Sequence, residues 1–158
     1  MNDVADKYET KARQMAEKWE QMAREGDHYR LAFDRQNTWS QKYNMVWDKL
    51  WNTNIFPKGV MDKEVNYYLT KQNTYGLPLD SRMEYTKSDW VMWTAAMSSN
   101  KSTFEKFSDL IYKYINETTT RVPISDWHHT DSGQWVGFRA RSVIGGYWMQ
   151  VLMDKYGK

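Results

Sequence analysis

The sequence contains no cysteine, only three prolines and no long apolar run. The absence of cysteine excludes a disulfide framework, a thiolate nucleophile and a cysteine-ligated metal centre, and it leaves the redox environment open. A membrane-spanning helix needs about 20 consecutive apolar residues, so we expect no membrane span. The polar residues at the N-terminus lack the apolar segment of a signal peptide, and we expect none in the printed sequence.

An excess of one charge is also lacking, because 22 basic and 20 acidic residues give a net charge of +2. A nucleic-acid-binding surface usually needs a basic excess, so we expect no nucleic-acid partner. Aromatic residues, in contrast, are abundant at 16% of the chain. They concentrate in cores first and in ligand clefts second. At 158 residues and 41% hydrophobic content, we expect one domain over residues 1–158 with a packed core.

Apolar residues recur at spacings of three and four along most of the chain, which predicts about six amphipathic helices and no strand pair. The first helix is predicted to end at Gly26, and the others to begin near Ser40, Pro57, Thr86, Ser102 and Ser142. Residues 117–138 lack this spacing and predict a long loop. The Gly145-Gly146 pair inside the last helix favours the close approach of another backbone or a ligand. The predicted fold class is therefore all-α.

Residues 75–90 join a turn to a helix start and concentrate polar and charged side chains. Gly76 and Pro78 favour turn conformations. Two carboxylates, an arginine, a lysine and several hydroxyl groups follow within a few residues. Loops on a rigid scaffold often carry catalytic groups, so we interpret this segment as the centre of a site. For Asp80 alone, the simpler interpretation is a local cap that pairs with Arg82.

Five motifs occur in order along the chain and together resemble the C-terminal part of the glutaminase A family. They are Trp39-Ser40-Gln41-Lys42-Tyr43-Asn44, Val65-Asn66-Tyr67-Tyr68, Tyr75-Gly76-Leu77-Pro78-Leu79-Asp80-Ser81-Arg82, Tyr85-Thr86-Lys87-Ser88-Asp89-Trp90 and Ala140-Arg141-Ser142-Val143-Ile144-Gly145-Gly146. The resemblance covers nearly the whole chain. The family comprises large secreted or envelope-associated proteins of fungi and Bacteroides-type bacteria. One departure is Arg35-Gln36-Asn37, where a proline-glycine pair is more usual.

The resemblance implies helical hairpins that form about half of an (α/α)₆ toroid. It implies hydrolysis of L-glutamine to L-glutamate and ammonia, and a periplasmic or secreted location. Family members are several times longer, so the chain resembles a fragment whose isolated form we expect to be inactive. The missing half of the toroid would leave apolar helix faces exposed. We therefore expect these faces to contact the remainder of a parent chain or a second copy.

Amide hydrolysis requires a nucleophile, a general base and donors for the oxyanion. A free amino acid substrate also needs a cation for its carboxylate and an anion for its ammonium group. The candidate catalytic residues are Asp80, Asp89, Asp126 and Lys87. The candidate substrate-binding residues are Arg82, Tyr85, Trp90, Arg139, Arg141 and Ser142. Ser81 and Ser88 are further hydroxyl candidates.

No cofactor or metal ion is expected. His128-His129 lies between Asp126 and Asp131 and offers ligands that suit zinc. Adjacent residues rarely face one ion, so a solvated loop is the preferred interpretation of this segment.

Two other classes of function remain open. One is a glycoside hydrolase-like site, in which carboxylates flank a sugar bond and tryptophans stack on the rings. Its candidates are Asp80, Asp89, Asp126, Trp39, Trp90 and Trp127. The other is a non-catalytic structural half-domain. Ammonia released from glutamine, or reducing ends released from a glycan, would distinguish the two enzyme classes.

Overall fold

A computed structural model describes residues 2–157 and is mostly helical. The six α-helices are α1 (Asn2–Ala23), α2 (Val46–Leu50), α3 (Val60–Leu69), α4 (Ser88–Met97), α5 (Lys101–Glu117) and α6 (Met149–Tyr156). Two 3₁₀ helices, Tyr43–Met45 and Ser142–Trp148, precede α2 and α6. Across residues 2–157 no helix combines the length and apolarity needed to cross a membrane.

Helix α4 lies at the centre of the fold. Its sequence is apolar on all sides, which is typical of a helix enclosed by protein. It packs against α2, α3, α5, α6 and both 3₁₀ helices. Val91, Ala95 and Ala96 are fully buried, and small side chains at this position let the surrounding helices approach closely. The fold therefore fixes the first turn of α4, where Ser88 and Asp89 lie, inside the protein.

Two antiparallel strand pairs correct the prediction that the chain has none. Strand β1 (Arg24–Glu25) pairs with β2 (His28–Tyr29) through a tight turn at Gly26, so this glycine does not end the first helix. Strand β3 (Tyr85–Lys87) pairs with β4 (Trp127–His129). Each strand has two or three residues, which is too short to show an alternating pattern.

Strand β4 also corrects the long loop predicted for residues 117–138. In β3 and β4, Lys87 is opposite Trp127, and Thr86 is opposite His128. Trp135 adds a further backbone bridge to His128. The segment is thus held to β3, and its side chains have fixed positions next to the start of α4.

Three helices start later in the chain than predicted. The carbonyl of Ser40 accepts a hydrogen bond from the Tyr68 hydroxyl, and the following 3₁₀ helix starts only at Tyr43. Helix α3 starts after Gly59, which has a positive φ, and not at Pro57. Thr86 lies buried in β3, so α4 starts two residues later.

The last two helices agree more closely with their predicted starts. Helix α5 is capped by Asn100, whose Oδ1 accepts from the Thr103 N–H at 3.2 Å, so the cap precedes the predicted Ser102. The final helical segment does begin at Ser142, first as a 3₁₀ helix. A Cβ atom on Gly146 would lie 2.7 Å from Trp93 Nε1 and 3.0 Å from Asp89 Cβ. The close neighbours are thus side chains and not the backbone or ligand that the glycine pair predicted, and a Cβ atom on Gly145 would have no neighbour within 4 Å.

Aromatic side chains fill much of the core, as expected. Tyr29, Tyr68, Tyr114 and Phe107 are almost completely buried. The tryptophans are mostly half-buried at the core edge. In contrast, Val4, Tyr8 and Met15 of α1 are exposed, and Tyr8 has a relative exposure of 70%. The apolar face of α1 is therefore only partly covered by the described chain.

A candidate active site at the start of helix α4

The β3–β4 pair brings two distant carboxylates into one buried cluster. Lys87 ends β3, Asp89 lies in the first turn of α4, and Asp126 immediately precedes β4. Asp89 is 3% exposed and Asp126 is 1% exposed. The backbone carbonyl of Asp126 accepts hydrogen bonds from the Ser88 N–H at 2.7 Å and the Ser88 hydroxyl at 3.0 Å. These bonds hold the two aspartate-bearing segments together.

The two carboxylate oxygens of Asp126 differ in their hydrogen-bond partners. Its Oδ2 accepts from Lys87 Nζ at 3.1 Å and from Arg141 Nη1 at 3.2 Å. Its Oδ1 is buried and has no protein partner among the described residues. The geometry thus presents one carboxylate oxygen of Asp126 as a free acceptor inside the protein.

Asp89 has the properties of a proton-exchanging group. Burial raises its pKa to about 6, and the nearby charge of Asp126 acts in the same direction, while N–H groups of the first turn of α4 act in the opposite direction. The Asp89 Oδ1 atom is buried without a protein partner among residues 2–157. A carboxyl group with a pKa near neutrality can both give and accept a proton under ordinary conditions.

A tyrosine and a tryptophan complete the interior of the cluster. The Tyr147 hydroxyl lies 2.7 Å from the Ser88 hydroxyl, and burial raises the Tyr147 pKa, so this phenol stays neutral. Trp93 Nε1 is buried without an acceptor in the described chain and lies beside Gly146. The cluster therefore contains an unpartnered donor as well as unpartnered acceptors.

Aromatic rings and cations form the outer side of the cluster. Lys87 Nζ lies 4.4 Å from the centre of the Trp127 ring and 5.2 Å from that of Phe138. Arg141 Cζ lies 5.0 Å from the Phe138 ring centre. Tyr85 packs edge-on against Trp127 with ring centres 5.6 Å apart. Half of the ten catalytic and substrate-binding candidates are thus brought together here, namely Tyr85, Lys87, Asp89, Asp126 and Arg141.

Asp80 and Arg82 are engaged with each other instead. Arg82 Nε donates to Asp80 Oδ1 at 2.9 Å, and Arg82 Nη2 donates to Oδ2 at 2.7 Å. The Arg82 N–H also donates to Asp80 Oδ1 at 2.9 Å. This is the local cap and ion pair that the simpler interpretation of the turn described. Both carboxylate oxygens of Asp80 are therefore occupied.

The remaining candidates lie at the edges. The Trp90 ring stacks on Tyr43 with centres 4.2 Å apart, so its face is partly covered. Ser142 is exposed at the start of its 3₁₀ helix. The solvated-loop interpretation of His128 is wrong, because this histidine is buried and stacks on Tyr114 at 3.5 Å. Burial lowers its pKa to about 4.

The segment around His128 does not form a metal centre in the described chain. Its Nε2 lies 2.8 Å from the carbonyl oxygen of Tyr75, and that contact directs the ring towards the backbone. Residues 2–157 contain no group of three or more histidine or acidic side chains placed to hold an ion.

Sequence reasoning missed a further buried acidic residue, Glu64. It is fully buried on α3 and accepts from the Tyr29 N–H at 2.7 Å and from the Tyr68 hydroxyl. Lys42 Nζ lies 3.4 Å from its Oε2. No motif or cap signal marks Glu64 in the sequence. Tyr147, in contrast, directly follows the glycine pair and could have been noted on that ground.

A surface groove occurs elsewhere and contains none of the three aspartates. It has a volume of about 590 Å³ and lies between α1 and the segments around the first 3₁₀ helix. Its walls include Met15, Trp19 and Phe56. We assign the candidate site to the carboxylate cluster because the lining of the groove is mostly apolar and includes no carboxylate.

The fold and the cluster together define a mostly helical domain with a buried pair of carboxylates next to its central helix. Residues 1–151 match the family model of the glutaminase A six helical-hairpin domain, and the chain belongs to this family. This confirms the resemblance seen in the five motifs.

Two fungal relatives support the assignment. The chain is 30% identical to glutaminase A of Aspergillus oryzae over 158 residues, which is 96% of this chain and 23% of that protein. It is 31% identical to a probable glutaminase of Arthroderma benhamiae over 185 aligned positions, covering 97% of this chain and 20% of that protein. The chain thus spans less than a quarter of each relative. No solved structure matches it.

Proposed function

We propose that this domain is part of an enzyme that hydrolyses L-glutamine to L-glutamate and ammonia, with Asp89 and Asp126 at its active site. The observation that carries the proposal is the buried pair itself. Each carboxylate retains one oxygen that has no protein partner within residues 2–157, and burial raises the pKa of Asp89 to about 6. The glutaminase names of the relatives supply the reaction class.

In this proposal Asp89 moves the protons. As a carboxylate, it takes a proton from a water molecule whose oxygen forms a bond to the side-chain carbonyl carbon of glutamine. As a carboxylic acid, it returns that proton to the nitrogen as the C–N bond breaks and ammonia leaves. The pKa near 6 makes both protonation states accessible.

Asp126 acts as the fixed anion of the site. Lys87 and Arg141 bind its Oδ2, and its Oδ1, which has no protein partner among the described residues, accepts a hydrogen bond from the ammonium group of the substrate. The aromatic rings of Trp127 and Phe138 flank the two cations and limit their movement. Substrate would displace water from the outer side of this cluster.

We also propose that the domain works only with the rest of a longer polypeptide. The relatives are four to five times as long as the matched region, and the family is described by six helical hairpins, whereas residues 2–157 contain six α-helices. The exposed apolar residues of α1 would pack against the missing helices to complete an (α/α)₆ toroid. The isolated chain would then be inactive.

Light scattering of the isolated chain tests this arrangement. We expect the isolated chain to self-associate at micromolar concentration through the exposed apolar face of α1. Substitution of Tyr8 by Ser should reduce this self-association. A monomer whose behaviour is independent of Tyr8 would count against the proposal. The periplasmic or secreted location remains a prediction from the family resemblance.

A glycoside hydrolase-like activity is the second candidate. It is favoured by the exposed ring of Phe138, which lies next to the two cations that bind Asp126, since aromatic faces can stack on sugars. The competing reactions are separated by their products, which are ammonia in one case and reducing ends in the other.

The direct test is ammonia release from L-glutamine and L-asparagine by the complete natural protein that contains this domain. We expect activity with L-glutamine that Asp89→Asn abolishes while the variant remains folded. Asp109→Asn, at an exposed position on α5, is the matched control and should retain full activity. An inactive wild-type protein would reject the glutaminase proposal, and reducing-end assays would then take priority.

A further inference from the structure

The basic residues around the candidate site differ in how their charges are used. Asp126 binds both Lys87 and Arg141. Asp80 binds Arg82 through two side-chain hydrogen bonds. These three cations already have carboxylate partners, so each would have to give one up to bind an anionic substrate group.

Arg139 has no such partner. Within residues 2–157 it forms neither an ion pair nor a side-chain hydrogen bond, and its side chain is exposed. Its guanidinium carbon lies 4.8 Å from the centre of the Trp135 ring. A guanidinium group stacked on an aromatic face keeps its N–H edges free for a planar anion.

The segment that carries Arg139 is tied to the strand next to Asp126. Trp135 forms a backbone bridge with His128, and the Val136 N–H donates to the Trp127 carbonyl at 2.8 Å. Phe138, the residue before Arg139, packs on Trp127 with ring centres 5.8 Å apart. The platform under Arg139 is therefore part of the same hairpin as the candidate site.

The backbone on both sides of Arg139 adopts unusual conformations. Gly137 has a φ of 63°, and a Cβ atom there would lie 2.9 Å from the Trp127 ring. Ala140 has a φ of 56°, which costs a non-glycine residue about 1 kcal/mol. The Ala140 N–H donates to the Ile124 carbonyl at 3.0 Å, which holds this conformation. Such strain persists where the surrounding structure fixes it, often near functional sites.

We propose that Arg139, held over Trp135, binds the free α-carboxylate of the amide substrate. The inference rests on the proposed function for the identity of the reacting amide. Arginine suits this role because its fork of N–H groups binds a carboxylate through two parallel hydrogen bonds. The site would then accept free glutamine and discriminate against glutamine whose α-carboxylate is part of a peptide bond.

The test compares L-glutamine with L-glutamine methyl ester, in which the α-carboxylate is masked. In the complete protein, we expect Arg139→Gln to raise KM for L-glutamine roughly 10- to 100-fold, the usual effect of losing hydrogen bonds between charged groups, with kcat within about twofold. The KM for the ester should not change. Arg139→Lys should recover part of the loss. Arg121→Gln, at an exposed arginine on the preceding loop, is the matched control.

The outcomes separate this inference from the proposed function. An unchanged KM for L-glutamine in Arg139→Gln, in an active enzyme, overturns the role of Arg139 and leaves the function intact. If the wild-type protein releases no ammonia, the proposed glutaminase function is rejected. The role of Arg139 is then tested by calorimetric titration of the wild type and the two variants with L-glutamate. Binding weakened at least tenfold by Arg139→Gln and not by Arg121→Gln supports the carboxylate site. Equal binding in both variants, or none in the wild type, overturns it.

Discussion

Two buried acidic clusters on neighbouring helices differ in how completely their polar atoms are paired. On α3, both oxygens of Glu64 have partners, from the Tyr29 N–H, the Tyr68 hydroxyl and Lys42 Nζ. Around α4, Asp89 and Asp126 each keep an oxygen with no protein partner in the described chain.

This difference separates a structural role from a functional one. Buried polar groups are nearly always paired, and an unpaired one costs stability. The Glu64 cluster uses all its hydrogen bonds to join α3, β2 and the segment at Lys42. At α4, the unpaired oxygens of Asp89 and Asp126 lower the free energy of unfolding. Groups that are kept at such a cost typically serve binding or catalysis. Substitution of Glu64 should therefore mainly lower stability, whereas substitution of Asp89 or Asp126 should mainly lower activity.

The largest expected effect is on catalysis through Asp126. Asp126→Asn removes the anion that Lys87 and Arg141 share and should lower kcat/KM for L-glutamine about 10³-fold in the complete protein. Glu64→Gln should leave kcat of the folded fraction within about twofold. Steady-state ammonia release, corrected for the folded fraction by circular dichroism, measures both. Equal losses of kcat/KM in Asp126→Asn and Glu64→Gln would contradict the distinction between the two clusters.

The second effect is on stability through Glu64. Glu64→Gln leaves Lys42 without its carboxylate and should lower the free energy of unfolding by about 3 kcal/mol. Urea denaturation of the isolated chain measures this. Glu105→Gln, which removes an exposed i,i+4 pair with Lys101, is the matched control and should cost less than about 0.5 kcal/mol. A Glu64 variant as stable as the control would show that the paired cluster does not hold the fold.

The third effect has the opposite sign. Burial raises the Asp89 pKa from its ordinary value of 3.8 to about 6, so its contribution to stability is fully present below pH 3.8 and is lost as the pH rises through 6. Asp89→Asn removes the buried charge and should stabilise the chain by roughly 3 kcal/mol well above pH 6. Below pH 4 the variant and the wild type should be equally stable. A destabilised variant at pH 7 would indicate that Asp89 supports the fold.

The fourth effect tests the packing that holds Asp89. Gly146→Ala places a methyl group 2.7 Å from Trp93 Nε1 and 3.0 Å from Asp89 Cβ, and should lower the unfolding free energy by about 1–3 kcal/mol. Gly145→Ala has no atom within 4 Å of its Cβ and is the matched control. Thermal denaturation of both variants compares them. Equal melting temperatures would argue against the close contact.

The smallest effect concerns the shape of the pH profile. Burial lowers the His128 pKa to about 4, so the stability from its neutral form is complete above 6.5 and declines as the pH falls towards 4. Asp89 changes in the opposite direction over much of the same range. The unfolding free energy of Asp89→Asn should therefore fall more steeply between pH 6.5 and 4 than that of the wild type. Parallel profiles would mean that the two groups do not oppose each other.

The sequence was sufficient for parts of this comparison. Asp89 and Asp126 were both predicted as site residues, and their roles stay predictions. The glycine pair indicated tight packing, but the atoms close to Gly146 belong to side chains and not to another backbone or a ligand. Helix α5 followed from its strong apolar spacing, with the cap displaced by two residues to Asn100. These features depend on local sequence, which is why pattern reasoning found them.

Other parts depend on contacts between distant residues. Strands β3 and β4 have three residues each and lie about 40 residues apart, so no local pattern could pair Lys87 with Trp127. In the sequence, Glu64 looks like a surface glutamate of an amphipathic helix. Only its contacts with the distant residues Tyr29 and Lys42 show that it is buried. The pairing of Arg141 with Asp126 likewise joins residues 15 positions apart, so no local pattern indicates it.

The most direct test of the contrast between the clusters is a carbon-13 NMR titration of the Asp89 side-chain carboxyl in the folded chain. The structure predicts a midpoint near pH 6, and a lower midpoint in Asp126→Asn because the neighbouring negative charge is gone. A midpoint near the ordinary aspartate value of 3.8 would contradict the account. Asp89 would then be solvated and fully ionised at neutral pH, with no proton to exchange.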